Sequence, residues 1–171
     1  MPNPALSERE LAAWLERFEE ACAEAVLDHG ARVIKSIGGE VLVVADTPAS
    51  AAEVALALTA RGSDPDDGFP EVRAGLAHGP VLSRLGDVFG STVNVAARLT
   101  SLARPGTVLV DAGVHDALDP GPDQPEPDGP DAPGGTGAQT AHPHPAYVLK
   151  RLRRAAVKDY PRLDTWVLRR G

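Results

Sequence analysis

Two adjacent glycines, Gly38 and Gly39, separate the apolar runs Val33-Ile34 and Val41-Leu42-Val43-Val44. Glycine adopts positive φ without steric cost, which a two-residue hairpin turn requires, so the segment reads as a β-hairpin. A valine-rich hairpin exposes an apolar face that another layer must cover. The sequence provides helices on both sides. Ser7 followed by Glu10 is a capping box. Leu11, Trp14, Leu15, Phe18, Cys22, Ala25 and Val26 then recur at helical spacing up to Gly30. After the hairpin, Asp46 or Thr47 caps a second helix with Pro48 in its first turn, running to Gly62.

The remaining pattern continues this alternation. Residues 63–68 read as a loop, and residues 72–78 and 81–85 as two strands joined at Gly79-Pro80. A helix is predicted over residues 92–103, closed by Arg104-Pro105-Gly106. Val108-Leu109-Val110 reads as a buried strand, with a short helix after it to Leu118. Between residues 119 and 146 Pro and Gly dominate and apolar residues nearly vanish, which predicts a disordered insertion. His142 and His144 lie inside it, without the further ligands a metal site needs. Structure resumes at Tyr147, and residues 163–168 alternate like a final strand. Arg151, Arg153 and Arg154 read as a solvated strand face, with a phosphate contact as the alternative. The expected fold is α+β, with helices on a mainly antiparallel sheet. Its core is residues 1–118, completed by C-terminal strands from residues 147–171.

A length of 171 residues fits one domain with a real core. The net charge of −7 argues against nucleic acid as a partner. No apolar run approaches the roughly 20 residues of a membrane helix, and the start has no secretory pattern. The single cysteine, Cys22, excludes an internal disulfide, suits a reducing, cytoplasmic location and falls on an apolar helix stripe. Lysine occurs only at positions 35, 150 and 158, which makes Lys35 conspicuous inside a short apolar segment.

A Gly-bearing turn at Asp87-Val88-Phe89-Gly90 precedes a helix that carries Asn94 and Arg98 at i and i+4. An amide and a guanidinium on one face can together hold an anionic oxygen, with only the arginine adding charge. Taken alone, the same residues also fit an exposed helix with ordinary polar side chains.

The full string Gly86-Asp87-Val88-Phe89-Gly90-Ser91-Thr92-Val93-Asn94-Val95-Ala96-Ala97-Arg98-Leu99 resembles the signature of class III adenylate and guanylate cyclases. The continuation Thr100-Ser101-Leu102-Ala103-Arg104-Pro105-Gly106 through Val110 is similar to the bacterial members. Upstream, His29-Gly30-Ala31-Arg32-Val33-Ile34-Lys35-Ser36-Ile37-Gly38 is similar to the segment entering their substrate-binding hairpin. The resemblance runs in order from Leu6 to Leu118, with the terminal strand added.

That resemblance implies a ferredoxin-like cyclase-homology sandwich. Two such domains, identical or different, pair head to tail and share each active site. ATP is converted there to 3′,5′-cyclic AMP and diphosphate. One subunit holds Mg2+ or Mn2+ on two aspartates, and the other reads the base and stabilises the transition state. By resemblance Lys35 donates to adenine N1 and Asp87 accepts from the N6 amino group, which favours ATP over GTP. Asn94 orients the ribose, and Arg98 stabilises charge on the α-phosphate.

The metal half departs from the family pattern. Gly39 stands where the second metal aspartate is expected, and glycine offers no ligand atom. Glu40 could replace it only if the hairpin slipped by one residue. The first aspartate belongs to a central strand ahead of the first helix, which the sequence from Met1 does not contain; a misplaced start or a fragment would account for that. The family's phosphate-contacting lysine has no clear counterpart: Asp164 stands before Thr165-Trp166, with Lys158 and Arg162 nearby. The implied function is the substrate-reading half of a cyclase site. The alternatives are a catalytically inactive pseudocyclase, acting as a nucleotide-binding or regulatory dimerisation module, and a nonfunctional remnant.

Overall fold

The computed structural model describes residues 7–64, 66, 68–119, 147–152 and 163–171. In chain order its elements are α1 (Glu8–Asp28), β1 (Ala31–Ile37), β2 (Glu40–Ala45), α2 (Pro48–Gly62), β3 (Ala74–Leu76) and β4 (Leu82–Arg84). They continue with β5 (Asp87–Phe89), α3 (Ser91–Leu102), β6 (Val108–Val110), α4 (Ala112–Leu118), β7 (Tyr147–Arg151) and β8 (Trp166–Arg170).

The capping box opens α1 as expected. The Glu10 amide donates to Ser7 Oγ at 3.4 Å, and the Ser7 amide donates to Glu10 Oε2 at 2.8 Å. The helix buries Phe18, Ala21, Cys22, Ala25 and Val26 along one stripe. The hairpin follows with Ile37 opposite Glu40 and both turn glycines at positive φ, 58° and 85°. Its register shifts between Val33 and Lys35, a bulge at Ile34 that the sequence reading did not anticipate. Thr47, not Asp46, caps α2, and Pro48 occupies its first turn.

The larger sheet has the order β3-β6-β8-β7, with β3 parallel to β6 and the other ladders antiparallel. Its centre, Val108-Leu109-Val110, is buried on both faces. Val108 and Val110 join Leu76 and Leu168 under Ala52, Ala55 and Leu56 of α2 and Val114 of α4. Leu109 faces the other way, into Leu99 and Ala103 at the end of α3. The sheet is therefore covered on both faces, and β8, from the C-terminal segment, packs in the same core as β3 and β6. Two further antiparallel pairs, β1–β2 and β4–β5, stand apart from it. Among the described residues no ladder joins the β1–β2 hairpin to the larger sheet. The link is made by side chains instead, with Ala25 and Val26 of α1 and Val54 of α2 packing on Ala31 and Val43.

The α+β class and the mainly antiparallel pairing are as expected; three local expectations change. Residues 72–78 and 81–85 do not form one strand pair: β3 and β4 are shorter and belong to different sheets. Residues 87–89, expected as part of a turn, form β5 and pair with β4 around Leu85-Gly86, at φ 52° and 78°. The last strand begins at Trp166 and reaches Arg170. The stretch from 120 to 146, with His142 and His144, lies outside the described residues, as do Arg153, Arg154, Lys158 and Arg162. Arg151 pairs with Asp164 at 2.5 Å and lies over the Trp166 ring. Among the described residues no helix is long and apolar enough to cross a membrane.

Candidate functional site

The bulge at Ile34 sets Lys35 on the hairpin, and the β4–β5 turn sets Asp87 beside it. Lys35 Nζ donates to Asp87 Oδ2 at 2.7 Å, both side chains partly open to solvent. Asp87 Oδ1 accepts from the Val88 amide at 2.8 Å, which fixes the carboxylate plane. The lysine hydrogen bond, followed by the Val88 amide, holds the Asp87 carboxyl below its ordinary value. A cationic donor and an anionic acceptor thus stand side by side, able to face a ligand edge bearing an acceptor next to a donor.

Helix α3 begins two residues after β5, with Gly90 at φ 135° as its N-cap. Thr92 Oγ1 donates to the Pro80 carbonyl at 2.8 Å and ties the helix start to the chain entering β4. The helix also rides directly on β3: a β-carbon at Gly75 would lie 2.3 Å from the Thr100 amide nitrogen and 2.5 Å from the Ala96 oxygen. Only glycine permits that approach. Asn94 is exposed on α3, as expected, but Arg98 is half-buried. Its Nε is fully buried and has no hydrogen-bond partner among the described residues. A buried guanidinium nitrogen without an acceptor is costly, and an anionic oxygen would satisfy it. The structure thus joins Lys35 to Asp87 and places Asn94 and Arg98 one turn apart on α3. No hydrogen bond or ion pair links the two couples among the described residues.

The described residues do not fit the metal ions that the family pattern implies. Gly39 carries no ligand atom, and its backbone has φ 85°. A β-carbon there would lie 3.1 Å from both Cη2 and Cζ3 of Trp14. The hairpin has not slipped, since Ile37 faces Glu40, so Glu40 remains on the strand and exposed. No cluster of three or more His, Cys, Asp or Glu side chains able to hold a metal ion occurs among the described residues. The Trp14 contact escaped the sequence reading because it joins residues 25 positions apart, and the helical stripe marks Trp14 only as apolar.

The sequence model described as "Adenylate and Guanylate cyclase catalytic domain" matches residues 4–129. An adenylate cyclase of Glutamicibacter nicotianae is 53% identical over 107 residues, which is 63% of this chain and 26% of that protein. One from Streptomyces coelicolor is 45% identical over 113 residues, covering 66% of this chain and 29% of that protein. The chain thus spans little more than a quarter of the length of these relatives. The catalytic core of a rhodopsin-guanylyl cyclase with converted specificity, solved with ATPalphaS, superposes with a TM-score of 0.71 at 18% identity. That superposition covers 97% of this chain and 86% of the other. The adenylyl cyclase CyaB from P. aeruginosa superposes at 0.62 with 13% identity, covering 98% and 86%. At these identities the superpositions show a shared fold.

Proposed function

The chain belongs to the adenylate and guanylate cyclase catalytic domain family, and on that premise we propose that it is the substrate-reading half of a shared adenylate cyclase site. The reaction is attack of the ATP 3′-hydroxyl on the α-phosphorus with departure of diphosphate, giving 3′,5′-cyclic AMP. Lys35 donates to adenine N1 and Asp87 accepts from the N6 amino group. Asn94 orients the ribose. Arg98 compensates charge that builds on the α-phosphate, a role its unsatisfied Nε suits. The metal ions come with the partner, a cyclase domain paired head to tail, because this chain has no residue to hold them at position 39. Residues 1–118 and 147–171 act as one domain around the 119–146 insertion. The free, buried Cys22 supports a cytoplasmic setting.

The observation that carries this reading is the 2.7 Å Lys35–Asp87 pair standing in a chain with glycine at 39. Complementation tests it. The partner should be a cyclase domain that keeps both metal aspartates and lacks its own base-reading lysine and aspartate. Cyclic AMP should form in the mixture, and the Lys35→Ala chain should not support it. A second reading, a pseudocyclase that binds nucleotide or regulates a partner by dimerising, draws on the indole lying against position 39. Nucleotide binding without turnover in the mixture would favour it.

A further inference from the structure

We propose that Trp14 closes the metal-facing corner of this domain: its indole fills the space into which a side chain at position 39 would project. The loss of a ligand at position 39 is thereby matched by a packing residue that occupies the vacated volume. The inference deepens the reading above, since it takes position 39 as metal-facing, but the contact itself is independent of any activity.

Three observations combine. A β-carbon on Gly39 would already lie 3.1 Å from two carbons of the indole, and 3.9 Å from Leu15 Cδ2. A carboxyl group extends beyond the β-carbon and needs more room still. Position 39 also sits at φ 85°, where any side chain adds backbone strain. Finally, the half-buried indole is held on one face by other rings. It stacks on Phe18 with centroids 5.7 Å apart and planes within 7°, and Phe18 stacks on Phe69 at 5.9 Å. This row of rings runs from the hairpin turn to the chain after α2, so displacing Trp14 disrupts packing along it. Ser36 Oγ, donating to Glu19 Oε1 at 2.8 Å, ties the same hairpin to α1 a second time. The turn that would carry a metal ligand is instead held as a structural contact under α1.

A double-mutant cycle isolates this contact. Thermal unfolding is measured for the full chain, Gly39→Ala, Trp14→Ala and the double variant. Backbone strain at position 39 is common to both Gly39→Ala chains and cancels, leaving the side-chain contact. Gly39→Ala should lower Tm by about 3 to 6 °C beside Trp14, and by clearly less once Trp14 is alanine. Equal losses in both backgrounds would overturn the proposal. A second readout uses Trp166→Phe, which leaves Trp14 as the single tryptophan. Adding Gly39→Asp there should move the emission to the red as the indole is pushed toward water; unchanged emission would also overturn it. Neither result depends on cyclase activity, so failure of complementation and failure of this inference are separable.

Discussion

Lys35 Nζ lies 2.7 Å from Asp87 Oδ2 and joins β1 to β5 across 52 positions of sequence. Both groups are partly exposed, and such pairs contribute little to stability because water and salt screen them. On the proposed function, their value lies in the paired donor and acceptor they present. Lys35→Ala should leave the unfolding midpoint almost unchanged while weakening ATP binding and narrowing the preference for ATP over GTP. Isothermal titration with both nucleotides, beside a melt, separates the two effects.

The same pair sets a pH window. Asp87 is held below its ordinary value of 3.8 by Lys35 first and the Val88 amide second. Its contribution is complete above the unfolded carboxylate range and disappears as pH falls through the lowered folded value. Binding of adenosine, which carries no phosphate titrating in this range, should therefore be flat from neutrality down to about pH 5. A drop already at pH 6 would show that another group governs recognition.

Arg98 gives the opposite balance of function and stability. Its Nε is buried with no hydrogen-bond partner among the described residues, so its desolvation is offset by no bond among them. Arg98→Met keeps the aliphatic stem and removes that cost. The variant should melt at the same temperature or higher, yet lose about 10²- to 10³-fold in turnover when paired with a metal-bearing domain. Loss of stability together with activity would assign Arg98 a structural role.

Leu168 tests whether the C-terminal segment belongs to the same core. It is buried to 1% exposure on β8, packed with Leu76, Val108 and Val110. Leu168→Ala should cost about 2 to 5 kcal/mol by chemical denaturation, the range for a large side chain removed from a packed core. A cost under about 1 kcal/mol, typical of surface sites, would show that residues 147–171 are not integral to the domain.

Cys22 has a testable alkaline signature. Burial first, and the nearby Glu19 charge second, push its thiol from 9.0 up to about 11. The unfolded thiol ionises at lower pH than the folded one, so stability should fall as pH rises from about 9 toward 11. A disulfide-exchange reagent at pH 8 should label Cys22 only after denaturant is added; rapid labelling of the native chain would contradict this burial.

Much of this arrangement was legible in the sequence where local rules act. Ser7 with Glu10, Thr47 with Pro48, and Gly38-Gly39 each specify their neighbours' backbone, and all three features formed. The candidate residues Lys35, Asp87, Asn94 and Arg98 are singled out by an ordered family pattern. What escaped depends on tertiary context. Leu85 is an unusual turn residue, exposed to 97% at φ 52°, so Gly86 alone marked the β4–β5 turn. The parallel β3–β6 ladder joins strands more than 30 residues apart, and nothing in either three-residue run names its partner. The burial of Arg98 Nε and the stacking of Trp14 over Gly39 arise only when helices settle on strands.

The most direct measurement of the central claim is the initial rate of cyclic AMP formation with ATP and Mn2+, for this chain alone and for its mixture with the metal-bearing, base-blind partner. The chain alone should form none above background, and the mixture should form it in proportion to the mixed dimer. Turnover by the chain alone at an ordinary enzyme rate, about 1 s⁻¹ or faster, would contradict the account, and so would a mixture that stays silent while the two chains demonstrably associate.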